Sequence, residues 1–166
     1  MASIGFTGLG KGEDGLIAER FFARLRQSER IVVAAICYRK RNDNSLEFLL
    51  VRTASGRWTF PKGAVDGDPT RAAAAAREAY EEAGVIGHIH EKPFTRYLHC
   101  KKNGRAHLVH AHLFRVRHFG RKHAEDHRCP TWFSAENAKR RLREGREEAF
   151  GRELERVVDT AVQLTL

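Results

Sequence analysis

Cysteine is scarce in this chain, and none of it is spaced for a site. Cys37, Cys100 and Cys129 are odd in number and far apart, which leaves neither a paired disulfide framework nor the close spacings of a zinc cluster and suits a reducing compartment. Ordinary packed thiols are expected. No apolar run approaches the ~20 residues that cross a bilayer, so no membrane partner is expected. The opening MASIGFTGLGKGEDG has neither the basic start nor the apolar core of a signal peptide, and a cytoplasmic location is expected. Its segment GLGKGEDG lacks the preceding strand and the Gly-Lys-Ser/Thr close of a phosphate loop, which leaves a flexible tail. Repeats and linkers are absent as well. Acid is outnumbered, 21 Asp and Glu against 30 Lys and Arg, for a net charge of +9. Such a surface attracts polyanions without choosing among them. Without an RRM-type signature, a nucleic-acid partner has charge as its only support.

What is present can bury one core. The 166 residues are 42% hydrophobic, enough for a single domain. Apolar residues at helical spacing over 16–27 predict a short amphipathic helix, so residues 1–29 form a tail and short helix, and 30–166 one domain that includes the C-terminal helices. IVVAAICY (31–38) is short and β-branched, hence a buried strand; LEFLLV (46–51) returns as a second, and 58–60 add a third, ended by Pro61. Segments 94–101 and 106–117 flank Asn103-Gly104, a strong hairpin signal. A last strand at 130–133 precedes a helix capped by Ser134, and the tail EEAFGRELERVVDTAVQL has helical periodicity. Strands, helix, strands and helices in that order describe an α/β (α+β) chain whose mixed sheet is packed by helices.

The central helix carries the chemistry. Asp68 suits the N-cap and Pro69 the first helical position, Gly84 a left-handed C-cap, and the alanines between them give high propensity and a slim face. Glu78, Glu81 and Glu82 share one side. Glu78 opposes Glu82 at i,i+4 by about 0.2–0.5 kcal/mol, and acids in the last turn meet the negative end of the helix dipole. Arg77 can compensate Glu81. No lysine or arginine stands four residues to either side of Glu78 or Glu82 within the helix. Either the face is simply solvated, or the missing counter-charge is a divalent cation, for which an all-oxygen cluster suits magnesium or manganese.

The stretch resembles the Nudix box, G, five residues, E, seven residues, then R-E-U-x-E-E-x-G-U with U a bulky apolar residue. Gly63, Arg77, Glu78, Ala79, Glu81, Glu82, Gly84 and Val85 fall in register. Pro69 stands where the first glutamate is usual, and Ala79 is smaller than the usual apolar residue. The resemblance covers roughly residues 30–142, with RWTFPKG and TWFSAENAKRRL as familiar surroundings. It implies a Nudix-type α/β/α sandwich with a mixed sheet. It also implies a hydrolase that attacks phosphorus with water, dependent on Mg2+ or Mn2+, with Glu78, Glu82 and the Lys62 carbonyl as metal ligands. Glu81 becomes the general base or a further ligand, and Arg77 orients the cluster. Glu125 or Asp126 could reach the site, although a solvated loop is the alternative for both.

Two subfamilies, the diadenosine polyphosphate and the diphosphoinositol polyphosphate hydrolases, are more similar than nucleotide-pool sanitisers. This gives Arg30, Arg52, Ser55, Arg57 and Arg105 as candidate phosphate contacts, with Gly63 in the substrate cleft. The chain departs from those enzymes at Pro61-Lys62-Gly63, where they carry a Gly-rich segment. Cations near the box, Lys62, Lys101 and Lys102 among them, suit a polyphosphate. His110 and His112 share one strand face and His107 takes the other, so sheet histidines are expected rather than a metal trio. Trp58 and Tyr97 could stack on a base or pack in the core. Three functions compete: a metal-dependent pyrophosphohydrolase on a phosphoanhydride small molecule, a non-catalytic module that binds RNA or a phosphorylated ligand, and an RNA end-processing hydrolase.

Overall fold

The computed structural model describes residues 30–101, 103–120 and 126–166. The predicted helix over 16–27, Lys102 and Glu125 lie outside the described residues, as does the side chain of Asp126.

Among the described residues, eight strands form one mixed sheet. β1 (Val32–Lys40) lies at its centre, antiparallel to β2 (Leu46–Arg52) and parallel to β7 (Ala106–Phe119). β3 (Trp58–Thr59) and β8 (Thr131–Ser134) pair with β2, β4 (Lys62–Ala64) with β1, and β5 (Val85–Ile89) and β6 (Thr95–Cys100) with β7. α1 (Arg71–Ala83) covers one face; α2 (Ala135–Arg143) and α3 (Glu148–Thr165) cover the other. The result is the expected α+β sandwich.

β1 shows why the layers form. Its residues alternate faces: Val33, Ala35 and Cys37 join the core under α1, while Ala34, Ile36 and Tyr38 join the core under α2 and α3. A strand buried on both faces reads as one continuous apolar run. Trp58 and Tyr97 are both core residues, 6% and 1% exposed, so neither is open to stack on a base.

The helix boundary requires a correction. Thr70, not Asp68, caps α1, its hydroxyl accepting the Ala73 N–H at 3.0 Å. Asp68 is drawn away by a charged partner described below, and the exposed Pro69 precedes the cap. Gly84 ends the helix in the left-handed region at φ 66, and Ser134 caps α2 as expected, accepting from the Asn137 N–H at 3.3 Å.

β4 and β5 are not anticipated by the sequence pattern. β4 is only Lys-Gly-Ala, and β5 carries a glycine at a register shift against β7. At that shift a Cβ on Gly87 would lie 2.1 Å from the Arg115 carbonyl oxygen. Backbone cannot yield as a side chain does. Gly87→Ala is therefore expected to cost about 1–3 kcal/mol, read as a lower urea midpoint with an unchanged slope.

Candidate active site

β4 and α1 build the site between them. Helical spacing turns Glu78 and Glu82 inward, 9% and 7% exposed, beside Ala75 and Ala79, which are fully buried against the sheet. Small alanines bring the helix close to the sheet, and the two carboxylates consequently meet β4. The Lys62 backbone N–H donates to Glu82 Oε2 at 3.1 Å. Glu78 lies so close over Gly63 that a Cβ there would stand 2.2 Å from its carboxyl carbon. Glu81 points outward, its side chain 42% exposed.

Arg77 organises this cluster. Its Nε and Nη2 form a two-pronged bridge to Asp68 at 3.0 Å each, Nη2 also donates to the Ala64 carbonyl at 3.1 Å, and Nη1 donates to both Glu78 (2.8 Å) and Glu81 (2.9 Å). A planar fork suits this arrangement, because one rigid group fixes three carboxylates at once. The Asp68 hydrogen bonds hold the guanidinium protonated, and those same bonds hold Asp68 below the usual carboxylate range.

A counter-charge for Glu82, which the sequence left to solvent or to a divalent cation, comes from outside the helix. Arg128, from the short 3-10 turn Asp126–Arg128, places Nη2 3.2 Å from Glu82 Oε1. Its Nη1 donates to the Arg52 carbonyl at 3.3 Å. Burial pushes the Glu82 carboxyl up to about 7, against the pull of Arg128 and Lys62. Burial also takes the Lys62 ammonium down to about 8, opposed by Glu82 and reinforced by Arg146, Arg128 and Lys101.

Lys62, Gly63, Arg77, Glu78, Glu81 and Glu82 are thus brought together. The predicted phosphate contacts are more scattered. Arg52 lies over the Trp58 ring at 4.3 Å and donates to the Gly56 carbonyl; Ser55 bonds Thr53 in the same turn. Arg30 is exposed just ahead of β1, and Arg105 is exposed on the β6–β7 turn, while Arg57 is half-buried. His112 is fully buried with Nδ1 on the His90 carbonyl at 2.9 Å, and His110 Nδ1 lies 3.4 Å from Arg71. Both face α1, as strand alternation requires.

Among the described residues, no three His, Cys, Asp or Glu side chains converge as a ready metal cage. The donor chemistry nonetheless fits a hard cation. Four carboxylates, Asp68, Glu78, Glu81 and Glu82, face the guanidinium groups of Arg77 and Arg128 and the Lys62 ammonium, and the bare Gly63 backbone leaves the Glu78 carboxylate a cradle that any side chain would fill. Sequence reasoning missed Arg128, which no pattern marks. Asp68 was legible only as a cap, although an acid one residue ahead of the box's first glutamate position was a usable sign.

An acidic cluster held by one arginine thus lies on a helix packed against a mixed sheet. The NUDIX domain model matches residues 29–154, and the chain belongs to the Nudix family. It is a Nudix hydrolase, a pyrophosphohydrolase that acts on phosphoanhydride bonds. Among solved structures it is similar to Ap4A hydrolase of C. elegans, with TM-score 0.64, 23% identity and coverage of 82% of this chain and 98% of that one. A NUDIX hydrolase from Nitrosomonas europaea gives TM-score 0.62 and 19% identity over 83% of this chain and 91% of its own. The NUDIX domain of Shewanella oneidensis NrtR, complexed with ADP ribose, gives 0.62 and 15% over 84% and 90%. At these identities the likeness is one of fold. No curated protein matches the sequence. Among the described residues no helix is long and apolar enough to cross a membrane.

Proposed function

We propose that this hydrolase cleaves a phosphoanhydride within a polyphosphate that carries a bulky group at its end, a diadenosine polyphosphate or a diphosphoinositol polyphosphate, with Mg2+ or Mn2+ as cofactor. The observation that carries the reading is the geometry at β4 and α1: Glu78 and Glu82 face the Lys62–Gly63 backbone, with Glu81 one step outward.

Glu78 and Glu82, with Glu81 and the Lys62 backbone at the margin, are the groups that would hold the cation. Once bound, it supplies charge neutralisation for phosphate oxygens and a lower pKa for water. The chain's own groups do the rest. Arg77 holds Glu78 and Glu81 from the same Nη1, which fixes the spacing between buried carboxylate and rim carboxylate. Glu81, the most exposed of the three, accepts a proton from the attacking water. The water oxygen bonds to phosphorus, the bridging P–O bond breaks, and the departing phosphate takes up a proton. Arg52, Arg57 and Arg105, with Arg30 and Ser55 at the edge, are the groups in this reading that meet the phosphates.

The expected result is turnover of diadenosine tetraphosphate or a diphosphoinositol phosphate with magnesium, lost on chelation, in a panel that also holds ADP-ribose, nucleoside triphosphates and triphosphorylated RNA. Turnover confined to the last two would overturn the substrate assignment. No turnover of any of them would return the chain to a ligand-binding role.

A further inference from the structure

Arg128 reaches Glu82 from a turn that is itself closely held. It ends the 3-10 turn ahead of β8, where Thr131, in register with Leu50 of β2, gives its hydroxyl to the Cys129 carbonyl at 2.9 Å. Cys129 lies in the left-handed region at φ 47, a conformation that strains any residue with a side chain. The turn accepts that strain and sets Arg128 Nη1 on the Arg52 carbonyl at 3.3 Å and Nη2 beside Glu82 Oε1 at 3.2 Å.

A guanidinium in that place can orient the carboxylate or neutralise it. Orientation is already supplied, because Glu82 Oε2 accepts the Lys62 backbone N–H at 3.1 Å from a strand whose Lys62 is paired with Ala34 of β1. What Arg128 adds is charge. The Glu82 side chain is 8% exposed, and a carboxylate so buried is costly without a cation beside it. Arg77 already spreads one positive charge over Asp68, Glu78 and Glu81. The Arg128 side chain is 23% exposed, so little water stands between it and any second cation on the same carboxylate, and their repulsion is weakly screened.

We propose that Arg128 is the resident counter-ion of Glu82 and competes with the divalent cation for that carboxylate, which makes it a positioning residue that sets how much free metal the enzyme needs. The proposal rests on the metal reading given under the proposed function. Arg128 stabilises the metal-free cluster and weakens metal binding by the same interaction, so the two effects are linked: a variant that loses the first gains in the second.

The full chain is titrated with Mn2+, the free ion being followed by its electron paramagnetic resonance signal, alongside Arg128→Gln and Lys92→Gln, the latter removing the same charge from an exposed lysine between β5 and β6. Arg128→Gln is expected to bind Mn2+ about tenfold more tightly than the wild type, a change of the size that partners of a metal ligand exert, and Lys92→Gln to bind as the wild type does. Without metal, Arg128→Gln is expected to melt below the wild type, and saturating Mn2+ to narrow the gap. Equal or weaker binding by Arg128→Gln, or the same tightening in Lys92→Gln, overturns the proposal and leaves the metal reading in place. No Mn2+ binding by any of the three sinks the metal reading itself, and the proposal falls with it. If Arg128→Gln does not fold, side-chain NMR of the unaltered chain decides: saturating Mg2+ is expected to move the Arg128 Nε–H signal toward that of an exposed arginine, and a signal that stays in place overturns the proposal.

Discussion

Glu81→Gln is expected to lower kcat by about 10²–10⁴-fold while the thermal midpoint barely moves. The two readouts separate because of where Glu81 sits. Its side chain is 42% exposed and its ion pair is with Arg77 Nη1, at 2.9 Å, and partly exposed pairs of this kind contribute about 0–1 kcal/mol. Arg77 retains Asp68, Glu78 and the Ala64 carbonyl when Glu81 is neutralised, so the cluster keeps its form. What disappears is the carboxylate that the proposed function makes the proton acceptor for water. Glu78 and Glu82 are less clean targets, because both are buried and paired, and removing either strands a buried guanidinium contact. Steady-state kinetics with a melting curve on one preparation decides the matter: a kcat within a few-fold of wild type shows that Glu81 is not the base.

Gly63→Ala is expected to cut activity by about 10–100-fold, the loss typical when a metal ligand loses its support, which is the role the proposed function gives Glu78. The new methyl would lie 2.2 Å from the Glu78 carboxyl carbon and Oε1, and 2.5 Å from Oε2. Gly63 cannot retreat, since β4 is paired to β1 through Val33. The carboxylate must therefore swing out, against Arg77 Nη1 at 2.8 Å. Stability should fall by about 1–3 kcal/mol, the usual cost of overpacking, and a urea titration reads that independently of turnover. Full activity in this variant would show that the reaction does not need Glu78 where the structure holds it.

How far these features could be read beforehand depends on their range along the chain. The short β-branched run of β1, the Asn103-Gly104 hairpin, the Gly84 cap and the clustering of Glu78, Glu81 and Glu82 are local patterns, and each stands close to its expected place. The failures are long-range. Arg128 meets Glu82 from across the fold, and nothing in the residues around it announces that partner. Asp68 suited a cap until Arg77, nine residues on, offered two stronger bonds, so Thr70 took the cap in its place. β4 is too short to have a period, yet its pairing with β1 is what brings Lys62 and Gly63 under the helix. Arg146 likewise donates to the Trp58 carbonyl from 88 residues along the chain, which no local spacing records.

The parallel ladder between β1 and β7 has a kinetic side. Val32 pairs with Val109 and Tyr38 with Arg115, so most of the domain is looped out between partners at the middle of the sheet. Closing so long a loop spends chain entropy before the contacts that reward it exist. Refolding should consequently be slow for a chain of this size, and a fragment that stops before β7 would leave β1 an unpaired apolar edge, prone to self-association.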